Sequence, residues 1–200
     1  MKELLLSILL LLYVPQLFAV PSLSKNMNDG IRFYKEGKYD KASEALEEAN
    51  LILDSESKVK QRYKPLILWN KAVSDTKNAQ SQKTPEAYDK AIESWKSYQK
   101  VLMEKEQWKG NSDYWNAEYQ IADLYLQNFK STATPDQESL QKLAKSSAHF
   151  LTLLSSTKKM KGKKILQLVL NAEKKLQEIQ SLNAQIAAQM KGQRNDQETK

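Results

Sequence analysis

Prolines and glycines, the residues that interrupt helices, are rare in this chain of 200 residues and stand far apart. A proline inside a helix removes a hydrogen-bond donor and clashes with the preceding turn, and a glycine there costs about 1 kcal/mol. The long segments between them are therefore free to be helical. Beyond residue 20 the breaks fall at Pro21, Gly30, Gly37, Pro65, Pro85, Gly110, Pro135, Gly162 and Gly192.

Apolar residues between these breaks recur at steps of three and four residues. This spacing places them on one face of a helix, whereas a strand would alternate apolar and polar residues. The clearest stripes are Tyr39, Ala42, Leu46, Ala49 and Leu53; Tyr88, Ala91, Ile92, Trp95, Tyr98 and Leu102; Leu140, Leu143, Ala144, Phe150, Leu151 and Leu154; and Ile165, Leu168, Val169, Ala172, Leu176 and Ile179.

Short polar motifs mark where several helices begin. Thr84 precedes a proline, which suits a capping hydroxyl followed by the first helical residue. Thr134 also precedes a proline and has Gln137 three residues later, the spacing of a capping box. Asn111 or Ser112 is expected to open the helix after Gly110. With these starts we count seven helices, paired as hairpins except for the last.

Residues 27–54 resemble a tetratricopeptide repeat. In that family a small residue and an aromatic stand three apart in the first helix, a Gly-x-Tyr turn follows, and the second helix carries Ala, a large apolar residue and Ala. Residues 62–105 and 112–156 are looser copies. Because Tyr39 and Tyr88 stand 49 residues apart and the family period is about 34, we expect longer hairpin loops at 78–84 and 130–134. The positions that match in the first copy are Gly30, Phe33, Gly37, Tyr39, Ala42, Leu46 and Ala49.

The resemblance implies an all-α fold of stacked antiparallel helical hairpins, a right-handed solenoid of about three repeats with a C-terminal capping helix. Such hairpins cannot bury their apolar faces singly and must stack. The repeat domain is expected at residues 24–190, followed by a disordered tail at 191–200. A helical bundle without repeat geometry is the alternative that the periodicity leaves open.

A binding groove is also implied by the resemblance. The concave side of such a stack is lined by outward residues of the first helix of each hairpin. Aromatic and flexible apolar side chains there serve as anchors for a peptide or a partner helix. The residues that map to this groove are Met27, Ile31, Tyr34 and Lys35 in the first copy and Tyr119, Asp123 and Gln127 in the third.

The N-terminus has the pattern of a secretory signal peptide. Lys2 precedes an apolar run at residues 4–14, Pro15 breaks the run, and Leu17, Phe18 and Ala19 offer a cleavage site. The run is shorter than the roughly 20 residues that a membrane-spanning helix needs. We therefore expect residues 1–19 to be removed on export to the periplasm or cell envelope, with no membrane span afterwards; an uncleaved anchor is the alternative.

Five lysines are concentrated in one short segment of this basic chain, whose net charge is +7. Such a cluster suits contact with an anionic lipid surface or cell-wall polymer, and a solvated turn is the simpler alternative. Nucleic acid is not expected, because stacking aromatics are not interleaved with the lysines. The cluster consists of Lys158, Lys159, Lys161, Lys163 and Lys164.

The sequence offers no recognisable catalytic constellation. His149 is the single histidine and the chain has no cysteine, so thiolate metal sites and disulfides are excluded and a hydrolase triad has no motif to support it. We interpret His149 as a surface or boundary residue and expect no enzyme activity, cofactor or metal. The sequence thus predicts an exported adaptor that binds another protein; the alternative is a basic module that binds anionic envelope surfaces.

Overall fold

The computed structural model describes residues 22–54, 60–104 and 108–198. The signal peptide expected at 1–19 lies outside these ranges. The described chain is helical throughout and contains no strand. Seven α-helices are present, as the sequence predicts: α1 (Leu23–Lys35), α2 (Tyr39–Asp54), α3 (Lys64–Gln82), α4 (Pro85–Met103), α5 (Ser112–Ser131), α6 (Gln137–Thr157) and α7 (Lys163–Glu198); two short 3-10 turns are Lys60–Tyr63 and Trp108–Gly110.

Packing follows the order of the chain. Each helix lies against the next one, from α1 on α2 through to α6 on α7. Among the described residues, the substantial contacts between helices that are not consecutive are those of α1 with α3 and of α5 with α7. α1 thus meets α3 across α2, and α5 meets α7 across α6.

The first hairpin turns at Gly37, as the motif predicts. Gly37 has a φ of 74°, a left-handed conformation that glycine adopts without strain. Its N–H donates to the carbonyl of Tyr34 and the N–H of Lys38 donates to that of Phe33, at 3.1 and 2.9 Å. These bonds satisfy carbonyls that the end of α1 would otherwise leave unpaired. Gly37 of the Gly-x-Tyr motif therefore closes the turn of the first hairpin.

Two of the expected helix starts are confirmed and one is wrong. The Thr84 hydroxyl accepts from the N–H of Ala87, and the Asn111 side chain accepts from that of Asp113. The α6 helix is capped by Asp136 instead of Thr134: its carboxylate accepts from the N–H of Ser139, whose hydroxyl accepts from the N–H of Asp136. These two reciprocal hydrogen bonds satisfy the backbone N–H groups of Asp136 and Ser139. A cap at Thr134 would leave both groups without a partner.

The longer hairpin loop expected at 78–84 is wrong. The α3 helix continues to Gln82, and only Lys83 and Thr84 separate it from α4. Lys83 takes a left-handed conformation with a φ of 56° and closes the helix by donating its N–H to the carbonyl of Ala79. The second hairpin is lengthened by α3 itself, which has 19 residues against 13 in α1. The second expected loop falls at 132–136, slightly later than the sequence suggests.

Small and large side chains alternate in the core as the repeat pattern predicts. Ala42, Leu46 and Ala49 of α2 are buried, and Leu46 and Ala49 pack with residues of α1 and α3. Farther along, the rings of Trp69, Trp95 and Tyr98 form a cluster whose centroids are 5.2 to 6.0 Å apart. Trp95 of α4 and Trp115 of α5 are thus buried core residues, and Trp69 is half-buried against the cluster that contains Trp95.

The last helix is the longest and its packing weakens along its length. Ile165, Leu168, Ala172 and Ile179 are buried, whereas the side chains beyond Ile186 are exposed as far as residue 191. Helical backbone continues to Glu198, so it covers most of the segment 191–200. The disorder expected for that tail stays a prediction.

Candidate partner-binding surfaces

One side of α1, α3 and α5 carries a stripe of polar and accessible residues opposite the buried face of each helix. The stripes of α3 and α5 meet where the amide Nε2 of Gln80 donates to Oε1 of Gln127 at 3.4 Å. Because α1 also contacts α3, the three helices offer neighbouring surfaces. We call this the odd-helix face; it consists of Asn28, Ile31, Lys35, Leu66, Asn70, Lys77, Gln80, Asn116, Gln120, Asp123 and Gln127, none of which is buried.

The groove residues expected on α1 divide into an outer and an inner pair. Ile31 and Lys35 are exposed and belong to the odd-helix face. Met27 is half-buried and packs against the core shared by α2 and α3. Tyr34 is half-buried too, with its ring centroid 5.5 Å from that of Tyr39 at the hairpin turn. Ile31 and Lys35 are therefore the pair more accessible to a partner.

The groove residues expected on α5 are held by contacts within the chain. The Tyr119 ring packs edge-on against Phe150, with 5.5 Å between centroids. Burial, and secondarily the negative charge of Asp123, raise the pKa of Tyr119 to about 12. Gln127 donates to Asp123 through its own Nε2 at 2.5 Å. Tyr119 is thus a packing residue, while Asp123 and Gln127 form a polar edge.

Charged side chains join that polar edge to α7. The Lys175 ammonium lies 2.8 Å from Oδ1 of Asp123 and 3.7 Å from Glu178, and Lys130 pairs with Glu178 as well. All four side chains are less than half exposed, so solvent screens these pairs less than fully exposed ones. The α7 helix is therefore joined to α5 by charge as well as by packing. The side chains at this part of the odd-helix face are thus already engaged in contacts within the chain.

Sequence reasoning missed the α3 part of the odd-helix face. The groove positions expected from the sequence lie only in the first and third copies. The accessible positions of α3 nonetheless follow a helical period, from Leu66 through Asn70 and Lys77 to Gln80. This helical period was the sequence signal that could have identified the α3 part of the face. Leu66 is 49% exposed, which makes it the most accessible apolar residue of this face.

The five lysines stand together at the turn between α6 and α7, and we call them the lysine turn. Lys158 caps the end of α6, and Lys163 and Lys164 begin α7. All five are exposed. In the part of the chain that the structure describes, none of them forms an ion pair or a side-chain hydrogen bond, which leaves their charges available to a partner.

His149 belongs to a polar network that joins three helices. Its Nδ1 lies 2.7 Å from Oε1 of Glu118, whose other oxygen accepts from the amide of Gln99 at 2.8 Å. The imidazole also stacks on the Tyr125 ring, with 5.7 Å between centroids. The histidine side chain is 30% exposed, which places it at the boundary of the core. It links α6 to α5, and Gln99 extends the link to α4.

In the described ranges, no group of three or more His, Asp or Glu side chains is arranged to hold a metal ion. No helix in these ranges combines the length and apolarity required to cross a membrane. The chain as a whole matches no family model, no curated protein and no solved structure.

Proposed function

We propose that this chain is an exported adaptor of the cell envelope that holds a partner protein against the odd-helix face. The observation that carries the proposal is the exposure of Ile31 and Leu66, 38% and 49%, on neighbouring helices of a face that is otherwise polar. Isolated apolar side chains within a polar rim are the usual anchors of a protein interface. The partner contributes apolar side chains to these anchors and polar groups to the rim.

The rim suits a peptide segment or a helix of the partner. Asn28, Asn116 and Gln120 make no side-chain hydrogen bond in the described part of the chain, and each amide offers both donors and an acceptor. An extended peptide presents the complementary N–H and C=O groups along its length. Recognition of this kind needs no catalytic group, so the proposal includes neither an enzymatic activity nor a cofactor.

A tetratricopeptide-like stack is the form of the fold that we propose. The sequential packing of α1 to α7 and the contacts of α1 with α3 and of α5 with α7 support it, because solenoid repeats touch only their neighbours. In this arrangement three hairpins follow a right-handed course and α7 caps the last one. The polar outer surface of α7 near Gln177, Gln180 and Asn183 suits a capping role.

Export is part of the proposal and is supported by the apolar run at residues 4–14 and the residues that follow it. The adaptor then acts in the periplasm or at the envelope. A partner in the same compartment is expected, which directs the search to envelope extracts.

Affinity capture with surface variants tests the proposal. The full chain is tagged and used as bait in envelope extract, and the captured protein is identified, purified and titrated against each variant. Ile31→Ser combined with Leu66→Ser removes both anchors and should weaken binding by roughly 30-fold. Leu51→Ser is the matched control, because Leu51 is 62% exposed on α2, away from the odd-helix face.

Three results would count against the proposal. The wild-type chain captures no specific protein, the double variant binds as tightly as wild type, or the Leu51 variant loses as much affinity as the double variant. Circular dichroism of each variant establishes that a loss of binding is not a loss of fold.

A further inference from the structure

The lysine turn stands at the mouth of an apolar groove. The groove has a volume of about 660 Å³ and lies between the end of α6 and the start of α7. Its apolar walls include Leu154, Met160, Leu166 and Val169, and Glu173 is the one acidic residue among the residues that line it. Three of the five lysines line it as well. The chain therefore combines clustered positive charge and apolar surface at one end of a single hairpin.

Leu166 of this groove and two other leucines of the same helices remain at the surface. Leu166 is 60% exposed and Leu170, one turn later on α7, is 44% exposed; Leu151 of α6 is 55% exposed. Burying such side chains away from water is favourable, and here the fold of the chain leaves them accessible. A hydrophilic polymer would leave these leucines in water, whereas a lipid bilayer would cover them.

The placement of two of these lysines does not serve the stability of the helix that they begin. Lys163 and Lys164 occupy the first turn of α7, where the helix dipole disfavours positive charge, and no acidic residue accompanies them there. None of the five lysines has an acidic partner in the described chain. Their charges are instead positioned to meet anions outside the protein.

We propose that the lysine turn and its apolar groove dock this protein on an anionic lipid bilayer. The lysines contact lipid phosphates, and Leu166 with its apolar neighbours enters the boundary between head groups and acyl chains. Lysine suits this task because its ammonium is a point charge on a flexible stem and does not need a fixed bidentate acceptor. Stable membrane association requires two signals, and this hairpin end supplies a polybasic and an apolar one.

This inference is independent of the proposed adaptor function. The odd-helix face belongs to α1, α3 and α5, whereas the docking surface is confined to the ends of α6 and α7. One surface can fail in experiment while the other succeeds.

A fluorescent label at Leu166 tests the docking surface locally. The chain has no cysteine, so Leu166→Cys provides a unique attachment point for an environment-sensitive dye on the full chain. Vesicles of phosphatidylglycerol mixed with phosphatidylcholine should shift the dye to the blue, and vesicles of phosphatidylcholine alone should not. Leu66→Cys is the matched control on α3. Its dye should remain in water with both vesicles.

Charge variants separate the lysine turn from the net charge of the protein. Lys158→Gln, Lys161→Gln and Lys163→Gln together should weaken binding to the anionic vesicles by roughly 100-fold, since each lysine near such a surface contributes about fivefold. Lys25→Gln, Lys41→Gln and Lys100→Gln remove the same charge from exposed positions elsewhere. We expect that control set to weaken binding by less than about fivefold. Raising the salt concentration should weaken wild-type binding.

The outcomes decide between lipid and other occupants. A dye at Leu166 that never leaves water, or equal losses in the two charge variants, would overturn the proposal. A dye that responds to soluble polyglutamate and not to vesicles would also overturn it, because the surface would then bind acidic chains. Binding carried by residues 4–14 would leave the dye at Leu166 unshifted and would equally contradict docking through the lysine turn.

Discussion

Gly30 of α1 lies directly against the side chain of Leu46 in α2. A Cβ built on Gly30 would be 2.6 Å from Cγ of Leu46 and 2.9 Å from Cδ2. Carbon atoms do not approach that closely, so the spacing of the first hairpin depends on the absence of a side chain at residue 30. The pair joins a small residue of one helix to a large residue of the other.

Gly30→Ala should therefore destabilise the chain. Alanine gains up to about 1 kcal/mol in helix propensity, but overpacking against Leu46 costs typically 1–3 kcal/mol. We expect a net loss of about 1 kcal/mol in the free energy of unfolding, measured by urea denaturation. Gly110→Ala is the control, because nothing lies within 4 Å of its added Cβ. Equal or higher stability of the Gly30 variant would contradict the close approach.

Asp75 should be the most sensitive acidic residue of the second hairpin. Its carboxylate is inaccessible and lies 3.1 Å from the ammonium of Lys71 and 3.2 Å from that of Lys90; it also accepts from the Ser94 hydroxyl at 2.6 Å. Asp75→Ala removes the buried carboxylate beside Lys71, which is only 13% exposed and keeps the more exposed Glu47 at 3.2 Å. We expect a loss of about 2 kcal/mol in urea denaturation, from the lost hydrogen bonds to a charged group.

The control for Asp75 is Glu93→Ala. Glu93 pairs with Lys96 on the surface, and its side chain is 69% exposed, so its removal should change stability by about 0.5 kcal/mol or less. Similar losses in the two variants would mean that burial does not govern the strength of these ion pairs.

Alkaline pH should unfold the chain partly through its buried tyrosines. Burial is the main cause that raises the pKa of Tyr98 and Tyr119 from 10.0 to about 12. A raised pKa in the folded state contributes stability that is complete below pH 10 and declines as pH rises through 12. Replacing both tyrosines with phenylalanine should flatten the fall in the free energy of unfolding over this range.

Urea denaturation at pH 8, 10 and about 11.5 checks the tyrosine prediction, because the change in the free energy of unfolding with pH reports the protons that the two states bind. Tyr63→Phe serves as the control, since Tyr63 stands at the surface. If the double variant loses stability as steeply as wild type above pH 10, other groups are responsible for the alkaline transition.

Asp136 and Thr134 stand close together before α6 and can be compared directly as caps of that helix. Hydrogen bonds from the Ser139 N–H and hydroxyl lower the pKa of Asp136, so its carboxylate caps the helix at neutral pH. Asp136→Ala should lower Tm by a few degrees, whereas Thr134→Ala should leave it nearly unchanged. The difference should shrink as pH falls through the pKa of Asp136. An equal effect of both substitutions would place the cap elsewhere.

Local signals in the sequence were sufficient to predict most of the helices and their turns. Periodicity and breakers identified all seven helices, and Gly37 and Thr84 marked their turns correctly. The end of α3 was missed because residues 78–82 are polar and resemble a loop. They remain helical since Ala79 is buried and Lys83 supplies the left-handed turn that a glycine usually provides.

The candidate surfaces were less predictable, because they depend on contacts between distant segments. The bond between Gln80 and Gln127 and the ion pair between Asp123 and Lys175 have no local signature. Tyr119 was expected in the groove, yet Phe150 of the next helix covers part of it. The lysine turn could be located from sequence, whereas the apolar groove beside it required the packing of α6 on α7.

Crosslinking in living cells tests the central claim most directly. A photoreactive amino acid is introduced singly at Ile31, Lys77 or Gln120 on the odd-helix face, and at Leu51 on α2 as the control. The account predicts that all three positions on the face link to the same protein, and that Leu51 links to none. Crosslinks at Leu51 to that same protein, or no crosslinks at the three positions of the face, would contradict it.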